Sequence, residues 1–436
     1  MGARETALNV LIACRREEGW SNGLLKQYLA RDQLDRRDAA LATRLCYGVV
    51  QNRLLLDHYL RQLLTGKLRD LHPVVRDILH LGLYQMLMMD RVPQSAAVHE
   101  SVELAKRYCP AQRFAPGLVN GVLRSAARQK DSLSQPTGWQ ELYSHPQKLI
   151  DLLKSYIGPL TKTMLISDNE VPDTVVQVNT LRTTTDGLCR QLQEQGVSAR
   201  PHSWMADALV LSGTGNLEAL PAFREGLFYV QDAAARLSVL CAQIEPGSRV
   251  LDCCAAPGGK SFAAAISMGG QGQVFSCDLY AHKTGLIETG ARRLGLQNMT
   301  VRQHDATCAV PEWHQSMDTV LCDVPCSGYG IIRKKPDIRY KDPDTMTELP
   351  HLQGQILAAQ AACVRPGGVL LYSTCTLVRR ENEAVVEKFL AEHPEFSPEA
   401  LSLPAPLPKN ETGMLTLVPG QYDTDGFFIA KMRRKL

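Results

Sequence analysis

The chain has 436 residues, 44% hydrophobic and 21% charged, so it is too long for one ordinary domain and has the composition of a folded protein. No apolar run reaches the roughly 20 residues that span a bilayer and no basic-then-apolar leader opens the sequence, so we expect a cytoplasmic protein without a membrane partner. The 13 cysteines lack the spacing of a secreted disulfide framework, which favours the same compartment. The net charge is +3 with the basic excess in residues 1–145, a distribution that is about equally typical of a surface with an anionic partner and of a solvated basic helical surface.

Residues 1–130 predict an all-helical domain of about five to seven helices. Apolar residues recur at helical spacing from Leu8 to Leu123, and Pro73 stands at a plausible first position of a helix. Residues 131–145 are rich in Asp, Ser, Gln and Pro and predict a linker.

Residues 146–235 predict a small α+β module, with an apolar strand at 174–178, a helix at 185–195 and further strands near 208–211 and 227–230. From 236 to 436 the alternation of strands and helices predicts a parallel, doubly wound α/β sheet. Its candidate strands are 249–252, 273–277, 299–303, 319–322 and 368–373, followed by an antiparallel pair at 414–418 and 426–431.

The segment LDCCAAPGGK at 251–260 follows the first of these strands and opens a helix, where backbone N–H groups can face a ligand. It lacks Gly-x-Gly-x-x-Gly and P-loop spacing, which disfavours dinucleotides and nucleoside triphosphates and leaves S-adenosylmethionine. A single Asp at a strand end is usually a turn or cap residue, but four in register favour a nucleoside-type site. These four are Asp252, Asp278, Asp305 and Asp323.

Two cysteines follow later strands: Cys326 in DVPCSG at 323–328, and Cys375 in YSTCT at 372–376. A pyrimidine is a poor carbon nucleophile until a thiolate adds beside the carbon to be alkylated, so paired thiols beside a methyl donor predict base methylation. The residues alone leave open which thiol attacks. No Cys-x-x-Cys pair or nearby His completes a zinc set, so we expect no metal and no zinc deaminase.

Together with GIIRKKPDI at 330–338, these segments resemble the NOL1/NOP2/Sun family, in particular the bacterial 16S rRNA (cytosine-C5)-methyltransferases of the RsmB (Fmu/Sun) type, over essentially the whole chain. The resemblance implies a NusB-like RNA-binding domain at 1–130, an RRM-like module at 146–235 and a Rossmann-like class I methyltransferase domain at 236–436. It implies that Cys375 attacks C6 of cytosine, that Cys326 resolves the adduct, and that Asp323 contacts the pyrimidine edge. The implied cofactor-binding residues are Cys254, Ala255, Ala256, Pro257, Gly258, Gly259, Lys260, Asp278, Asp305 and Asp323. Val324 and Cys253 stand where the family usually has Ala, and neither change removes a reacting group.

The basic residues Arg333, Lys334, Lys335 and Arg339 predict contacts to substrate phosphates, although a lone charge run is more often a solvated loop. We expect a monomeric enzyme that transfers a methyl group from S-adenosylmethionine to C5 of one cytosine in 16S ribosomal RNA. Two alternatives stay open: a tRNA cytosine-C5 methyltransferase, and an RNA-binding ribosome-assembly factor. Exocyclic-amine methylation is disfavoured, because the chain lacks an Asn/Asp-Pro-Pro-Tyr/Phe motif and that reaction needs no thiol.

Overall fold

The computed structural model describes residues 1–17 and 21–436 and divides into two compact units. The first unit contains residues 1–152 and 332–343, and the second contains residues 153–331 and 344–436. The part of the helical prediction that falls on residues 18–20 lies outside the described residues. None of the described helices is both long and apolar enough to cross a membrane.

The first unit is helical, as predicted. Its core surrounds α5, whose side chains from 74 to 86 are mostly buried because the helix is apolar on nearly every side. Asp35 accepts the N–H of Asp38 at the start of α3, and Pro73 occupies the first turn of α5. Its described α-helices are α1 Ala3–Glu17, α2 Ser21–Asp32, α3 Arg36–Gln51, α4 Arg53–Leu63, α5 Pro73–Met88, α6 Gln94–Tyr108, α7 Ala115–Gln129 and α8 Trp139–Leu142. The boundary between the units at residues 152 and 153 falls within α9 Gln147–Ile157.

The segment 332–343 belongs to the first unit although it follows the Pro-Cys motif in sequence. Arg339 is fully buried and donates to the backbone oxygens of Gln51, at 2.8 Å, and Ser144, at 3.4 Å. The hydroxyl of Tyr340 donates to the backbone oxygen of Val50 at 2.8 Å. Arg339 is therefore not available for the predicted RNA contact, because the Arg339 guanidinium binds backbone carbonyl groups in the interior of this unit.

The second unit begins with the predicted small α+β module. Its four strands form an antiparallel sheet in the order β2-β3-β1-β4, and the succession βαββαβ is ferredoxin-like. Val176, Leu188, Leu209 and Phe228 are among the buried residues of its core. The elements are α10 Thr161–Ser167, β1 Thr174–Val178, α11 Thr185–Glu194, β2 Ser198–Pro201, β3 Ala208–Ser212, α12 Pro221–Arg224 and β4 Phe228–Val230.

An eight-stranded sheet follows in the same unit. The parallel strands have the order β9-β8-β5-β6-β7, and β12 runs antiparallel beside β9 and pairs with β10 and β11. The predicted α/β alternation is confirmed, whereas α17 and β10 were not predicted. The elements are α13 Ala233–Cys241, β5 Arg249–Asp252, α14 Gly259–Ser267, β6 Gln273–Asp278, α15 Ala281–Leu294, β7 Met299–Gln303, β8 Met317–Asp323, α16 Leu349–Ala361, β9 Val364–Thr374, α17 Glu383–Glu392, β10 Phe396–Pro398, β11 Met414–Leu417 and β12 Phe427–Arg434.

Candidate active site

The two motif cysteines lie side by side at the carboxyl ends of β8 and β9. Their Sγ atoms are 3.2 Å apart, and both side chains are partly exposed. Neighbouring parallel strands bring the two loops together, because the N–H of Val324 donates to the oxygen of Ser373 at 3.1 Å. We call residues 323–328 the Pro-Cys loop and residues 373–376 the Thr-Cys loop.

The environment of Cys326 favours its protonated form. Its contact with the Cys375 thiol, its burial, and the nearby carboxylates of Glu381 and Asp323 raise the pKa of Cys326 well above its usual value. A thiolate is the nucleophilic form of cysteine, so the raised pKa disfavours Cys326 as the attacking sulfur.

An ion pair lies beside the thiols. The Nζ atom of Lys260, at the start of α14, is 2.6 Å from Oδ2 of Asp323, and Ser373 Oγ donates to Oδ1 of the same carboxylate at 2.8 Å. Lys260 is nearly buried and its Nζ lies 5.1 Å from the centre of the Phe427 ring. Lys260 was predicted as a cofactor contact, and its pairing with Asp323 had no signal in the sequence.

The loop at 254–260 approaches α14 through a turn that requires glycine. Gly258 has φ of +112°, and a Cβ there would lie 2.4 Å from the Phe262 ring. Asp278, at the end of β6, accepts the N–H groups of Ala256 and Tyr280, both at 3.3 Å. The carboxylate of Asp278, at a strand end, fits the ribose hydroxyls of the expected S-adenosylmethionine. The backbone N–H groups at the start of α14 fit the carboxylate of the same ligand.

The remaining strand-end acids have different surroundings. Asp252 is fully buried and accepts a hydrogen bond from Ser261 Oγ at 2.7 Å, and burial raises the pKa of Asp252 to about 7. Asp305 is exposed, and hydrogen bonds from the N–H and hydroxyl of Thr307 lower its pKa. These bonds form an Asx turn, so the cofactor contact of Asp305 stays a prediction.

Cys254, the first residue of the predicted cofactor loop, is partly exposed. Its contact with Cys253 and its burial raise the pKa of Cys254 well above the usual thiol value, which disfavours a reactive thiolate there. In the part of the chain that the structure describes, no group of three or more His, Cys, Asp or Glu residues is placed to hold a metal ion.

Sequence reasoning missed three fully buried polar residues behind the thiols: Gln353, Glu381 and Asn382. They come from α16 and from the turn that opens α17. The one available signal was the pair of polar residues 381–382 directly before an apolar helix, a pattern that is equally typical of an ordinary helix start.

Three family models match successive parts of the chain. The NusB family matches residues 1–128, a ferredoxin-like domain of RsmF/B-like methyltransferases matches 145–218, and the 16S rRNA methyltransferase RsmB/F model matches 239–433. The chain is 35% identical to the "Probable ribosomal RNA small subunit methyltransferase B" of Bacillus subtilis, over 99% of this chain and 98% of that protein. It is 33% identical to the ribosomal RNA small subunit methyltransferase B of Citrobacter koseri, over 92% and 91%.

Solved structures share the fold. The crystal structure of PH0851 superposes with a TM-score of 0.81 at 25% identity, over 100% of this chain and 99% of that one. The structure of NSun6 from Pyrococcus horikoshii with SFG superposes with a TM-score of 0.59 at 20% identity, over 67% of this chain and 99% of that one. The second likeness shows the fold of the shared region alone.

Proposed function

The chain belongs to the RsmB/F family of 16S rRNA methyltransferases, and from this premise we propose that it methylates C5 of a cytosine in 16S ribosomal RNA with S-adenosylmethionine as the donor. The observation that carries the proposal is the 3.2 Å separation of Cys326 and Cys375 at the carboxyl edge of the sheet. Methylation of an amine or of a ribose hydroxyl would need neither thiol.

We assign the attack to Cys375. Its sulfur forms a bond to C6 of cytosine, and the electron pair of the 5,6 double bond then makes C5 nucleophilic. Once C5 carries its methyl group, the C5 proton passes to a base such as water and its electron pair restores the 5,6 double bond. The bond between C6 and sulfur breaks at the same time, and its electron pair leaves with the sulfur of Cys375. Cys326 lies within contact distance of the attacking sulfur and is placed to assist this release.

Asp323 is the candidate for holding the base. A carboxylate that accepts a hydrogen bond from N3–H of the adduct would stabilise it, and the ammonium of Lys260 holds one oxygen of this carboxylate. A charge-assisted hydrogen bond of 2.6 Å restricts the rotation of both side chains. The pair therefore orients the pyrimidine relative to the thiols.

The donor site consists of the 254–260 loop and Asp278. When bound, S-adenosylmethionine supplies an electrophilic methyl group on its sulfonium. The backbone N–H groups at the start of α14 would bind the carboxylate of this ligand, and Asp278 would accept hydrogen bonds from its ribose hydroxyls.

Nucleoside analysis tests the reaction. We expect purified protein, labelled S-adenosylmethionine and unmodified 16S RNA to give labelled 5-methylcytosine, with no such product from tRNA. Label in tRNA alone would favour a tRNA cytosine-C5 methyltransferase, and absence of 5-methylcytosine from both RNAs would overturn the proposal. Bisulfite mapping of RNA from cells with and without the gene locates the modified position.

Cysteine variants test the assignment of roles. We expect Cys375→Ala to abolish turnover and Cys326→Ala to accumulate a covalent protein–RNA species, visible as a retarded band on a denaturing gel. Cys308 is exposed, so Cys308→Ala is the matched control and should behave as the wild type. A retarded band for Cys375→Ala instead would exchange the two roles.

Arg333, Lys334 and Lys335 remain the proposed phosphate contacts, and Lys335 is the exposed one of the three. We expect Lys335→Gln to weaken RNA binding and to reduce the slope of log affinity against log salt by about one. Lys409 is also exposed, and Lys409→Gln is the matched control, for which the slope should not change. Equal slopes for the two variants would remove Lys335 from the RNA contacts.

A further inference from the structure

One buried carboxylate holds both sides of the Cys326 turn. Glu381 is fully buried, and its Oε2 accepts the N–H of Ser327 at 2.8 Å and the side-chain amide of Gln353 at 3.1 Å. The same amide donates to the backbone oxygen of Pro325 at 2.9 Å. The peptide groups before and after Cys326 are therefore fixed by Glu381, directly or through Gln353.

The adjacent side chain does the same for the second thiol. Asn382 is fully buried; its Oδ1 accepts the hydroxyl of Thr374 at 2.6 Å, and its Nδ2 donates to the backbone oxygen of Thr376 at 3.0 Å. These two residues flank Cys375. Consecutive residues of one turn thus anchor the residues on either side of both cysteines.

The two loops are also linked to each other. Ser327 Oγ and Thr376 Oγ1 are 2.7 Å apart, and the N–H of Gly330 donates to the oxygen of Cys375 at 2.9 Å. Every bond of this network lies within the second unit. The sulfur separation is consequently set by a framework in which Asn382 makes two contacts with the Thr-Cys loop. Glu381 and Gln353 make one contact each with the Pro-Cys loop and are hydrogen-bonded to each other.

Geometry alone does not require a charge at position 381. A glutamine oxygen could accept the same two hydrogen bonds, and a buried carboxylate is costly unless its oxygens are satisfied. Oε1 of Glu381 has no hydrogen-bond partner in the described part of the chain. The ionisable groups that act on Cys326 are Cys375, Glu381 and Asp323, with the buried Tyr372 nearby. Both carboxylates disfavour a thiolate on Cys326.

We propose that Glu381 and Asn382 are positioning residues of the two-thiol site: together they fix the sulfur separation, and Glu381 also places a carboxylate near Cys326. The catalytic consequence rests on the proposed function, whereas the effect on thiol chemistry does not.

The first experiment measures thiol proximity without RNA or donor. Diamide oxidises two neighbouring thiols to a disulfide and is itself reduced to the hydrazine, taking up both hydrogens and two electrons. We expect Glu381→Ala and Asn382→Ala to slow formation of the Cys326–Cys375 disulfide by about tenfold, because a small displacement strongly lowers effective molarity. Peptide mass spectrometry of the full chain follows the product.

Controls keep this experiment decisive. Glu387, on the exposed side of α17, provides the matched variant Glu387→Gln, which should oxidise at the wild-type rate. Should the alanine variants fail to fold by circular dichroism, Asn382→Asp retains the acceptor for Thr374 and loses the donor to Thr376, and it should still slow the reaction. Wild-type rates in folded Asn382→Asp or in both alanine variants would overturn the positioning role.

The second experiment isolates the charge. In a Cys375→Ala background, the pH dependence of Cys326 alkylation by iodoacetamide reports ionisation of that thiol alone. We expect Glu381→Gln to move the midpoint to lower pH, because one of the two carboxylates facing Cys326 has become neutral. An unchanged midpoint would overturn the proposed electrostatic role.

Turnover links the network to catalysis. With Cys326 and Cys375 intact, we expect Glu381→Ala to lower kcat by about tenfold or more while the KM for RNA changes by less than about twofold, and Glu381→Gln to recover part of kcat. A change in KM alone would contradict a positioning role. If no variant or wild-type protein forms 5-methylcytosine but the disulfide and alkylation results hold, the proposed function fails and the inference about the thiols stands.

Discussion

In the first unit the buried carboxylate of Asp57 has two basic partners, whereas in the second unit the buried carboxylate of Asp252 has one hydroxyl. Asp57 accepts hydrogen bonds from Arg76 Nε at 2.9 Å and from His80 at 2.8 Å, and Arg76 contacts its second oxygen as well. Burial alone would raise the pKa of Asp57, but the bonds from His80 and Arg76 outweigh it and the pKa is lowered.

Asp252 shows the opposite balance. Ser276 donates to Ser261, which donates to Oδ2 of Asp252, and Oδ1 has no hydrogen-bond partner among the described residues. Burial dominates and raises its pKa to about 7. The buried charge of Asp57 is thus compensated by basic partners. Asp252 and Glu381 each have one oxygen without a hydrogen-bond partner among the described residues, and both belong to the unit that contains the two thiols, a pattern typical of functional sites.

The largest expected effect is on Asp57. We expect Asp57→Ala to destabilise the first unit by about 3–5 kcal/mol, because it leaves Arg76 and the buried His80 without their anionic partner. Hydrogen exchange of the α4 and α5 amides measures the loss. Asp35→Ala, which removes only the cap of α3, should cost about 1 kcal/mol. Equal losses for the two variants would show that the buried ion pair stabilises no more than a cap.

The variant Asp252→Asn tests the raised pKa of Asp252 through the pH dependence of folding stability. The folded wild type keeps a proton on Asp252 up to about pH 7, whereas the unfolded chain releases it near pH 4, so folding stability falls as pH rises between these values and is constant above them. We expect the neutral variant to lack this slope and to be about 2–4 kcal/mol more stable than the wild type above pH 7. Exchange of the β5 and β6 amides measures it, and parallel pH profiles would contradict the raised pKa.

Glu399 tests whether a partly exposed carboxylate of the second unit, outside the candidate site, is also paired with basic residues. It lies beside β12, where Arg433 donates to it and the fully buried Lys431 is 2.7 Å away. The hydrogen bond from Arg433, followed by that from Lys431, lowers the pKa of Glu399 to about 2. This stabilisation is complete above about pH 4.5 and is lost as pH falls towards 2.

We therefore expect Glu399→Gln to cost about 1–2 kcal/mol at pH 7, a value limited because the carboxylate is partly exposed and screened. The difference from the wild type should shrink below pH 4, as measured by exchange of the β12 amides. A constant difference across pH would assign the loss to packing rather than to charge.

The strands of the second sheet were predictable because apolar runs ended at acidic residues. The predicted 249–252 and 299–303 coincide with β5 and β7. β9 begins earlier than predicted, at Val364, because the segment Val-Arg-Pro-Gly at 364–367 continues the strand, and Val364 itself pairs with Met317 across a register shift. A composition rule cannot anticipate pairing that depends on a neighbouring strand.

The residues of the candidate site were predictable only where their chemistry is associated with a recognisable sequence motif. The two thiols and the 254–260 loop carried recognisable patterns, but the burial of Arg339 depends on carbonyl groups at 51 and 144, distant in sequence. The roles inferred for Glu381 and Asn382 likewise arise from tertiary contacts with two separate loops. The sequence alone does not show whether a charged side chain will be exposed to solvent or buried.

The smallest expected effect concerns Arg379, two residues before Glu381. Arg379 makes two hydrogen bonds of 2.9 Å to Glu387, and both side chains are more than half exposed. Exposed pairs are screened and contribute little even with good geometry, so we expect Arg379→Ala to cost about 0.5 kcal/mol or less by exchange of the α17 amides, and less still in high salt. A loss comparable to that of Asp57→Ala would show that the distance between the charges, rather than their burial, determines how much an ion pair contributes to folding stability. The small loss expected for Arg379→Ala would show that the exposed residues of this turn contribute little to stability, in contrast to the buried Glu381 and Asn382, which hold the thiol loops.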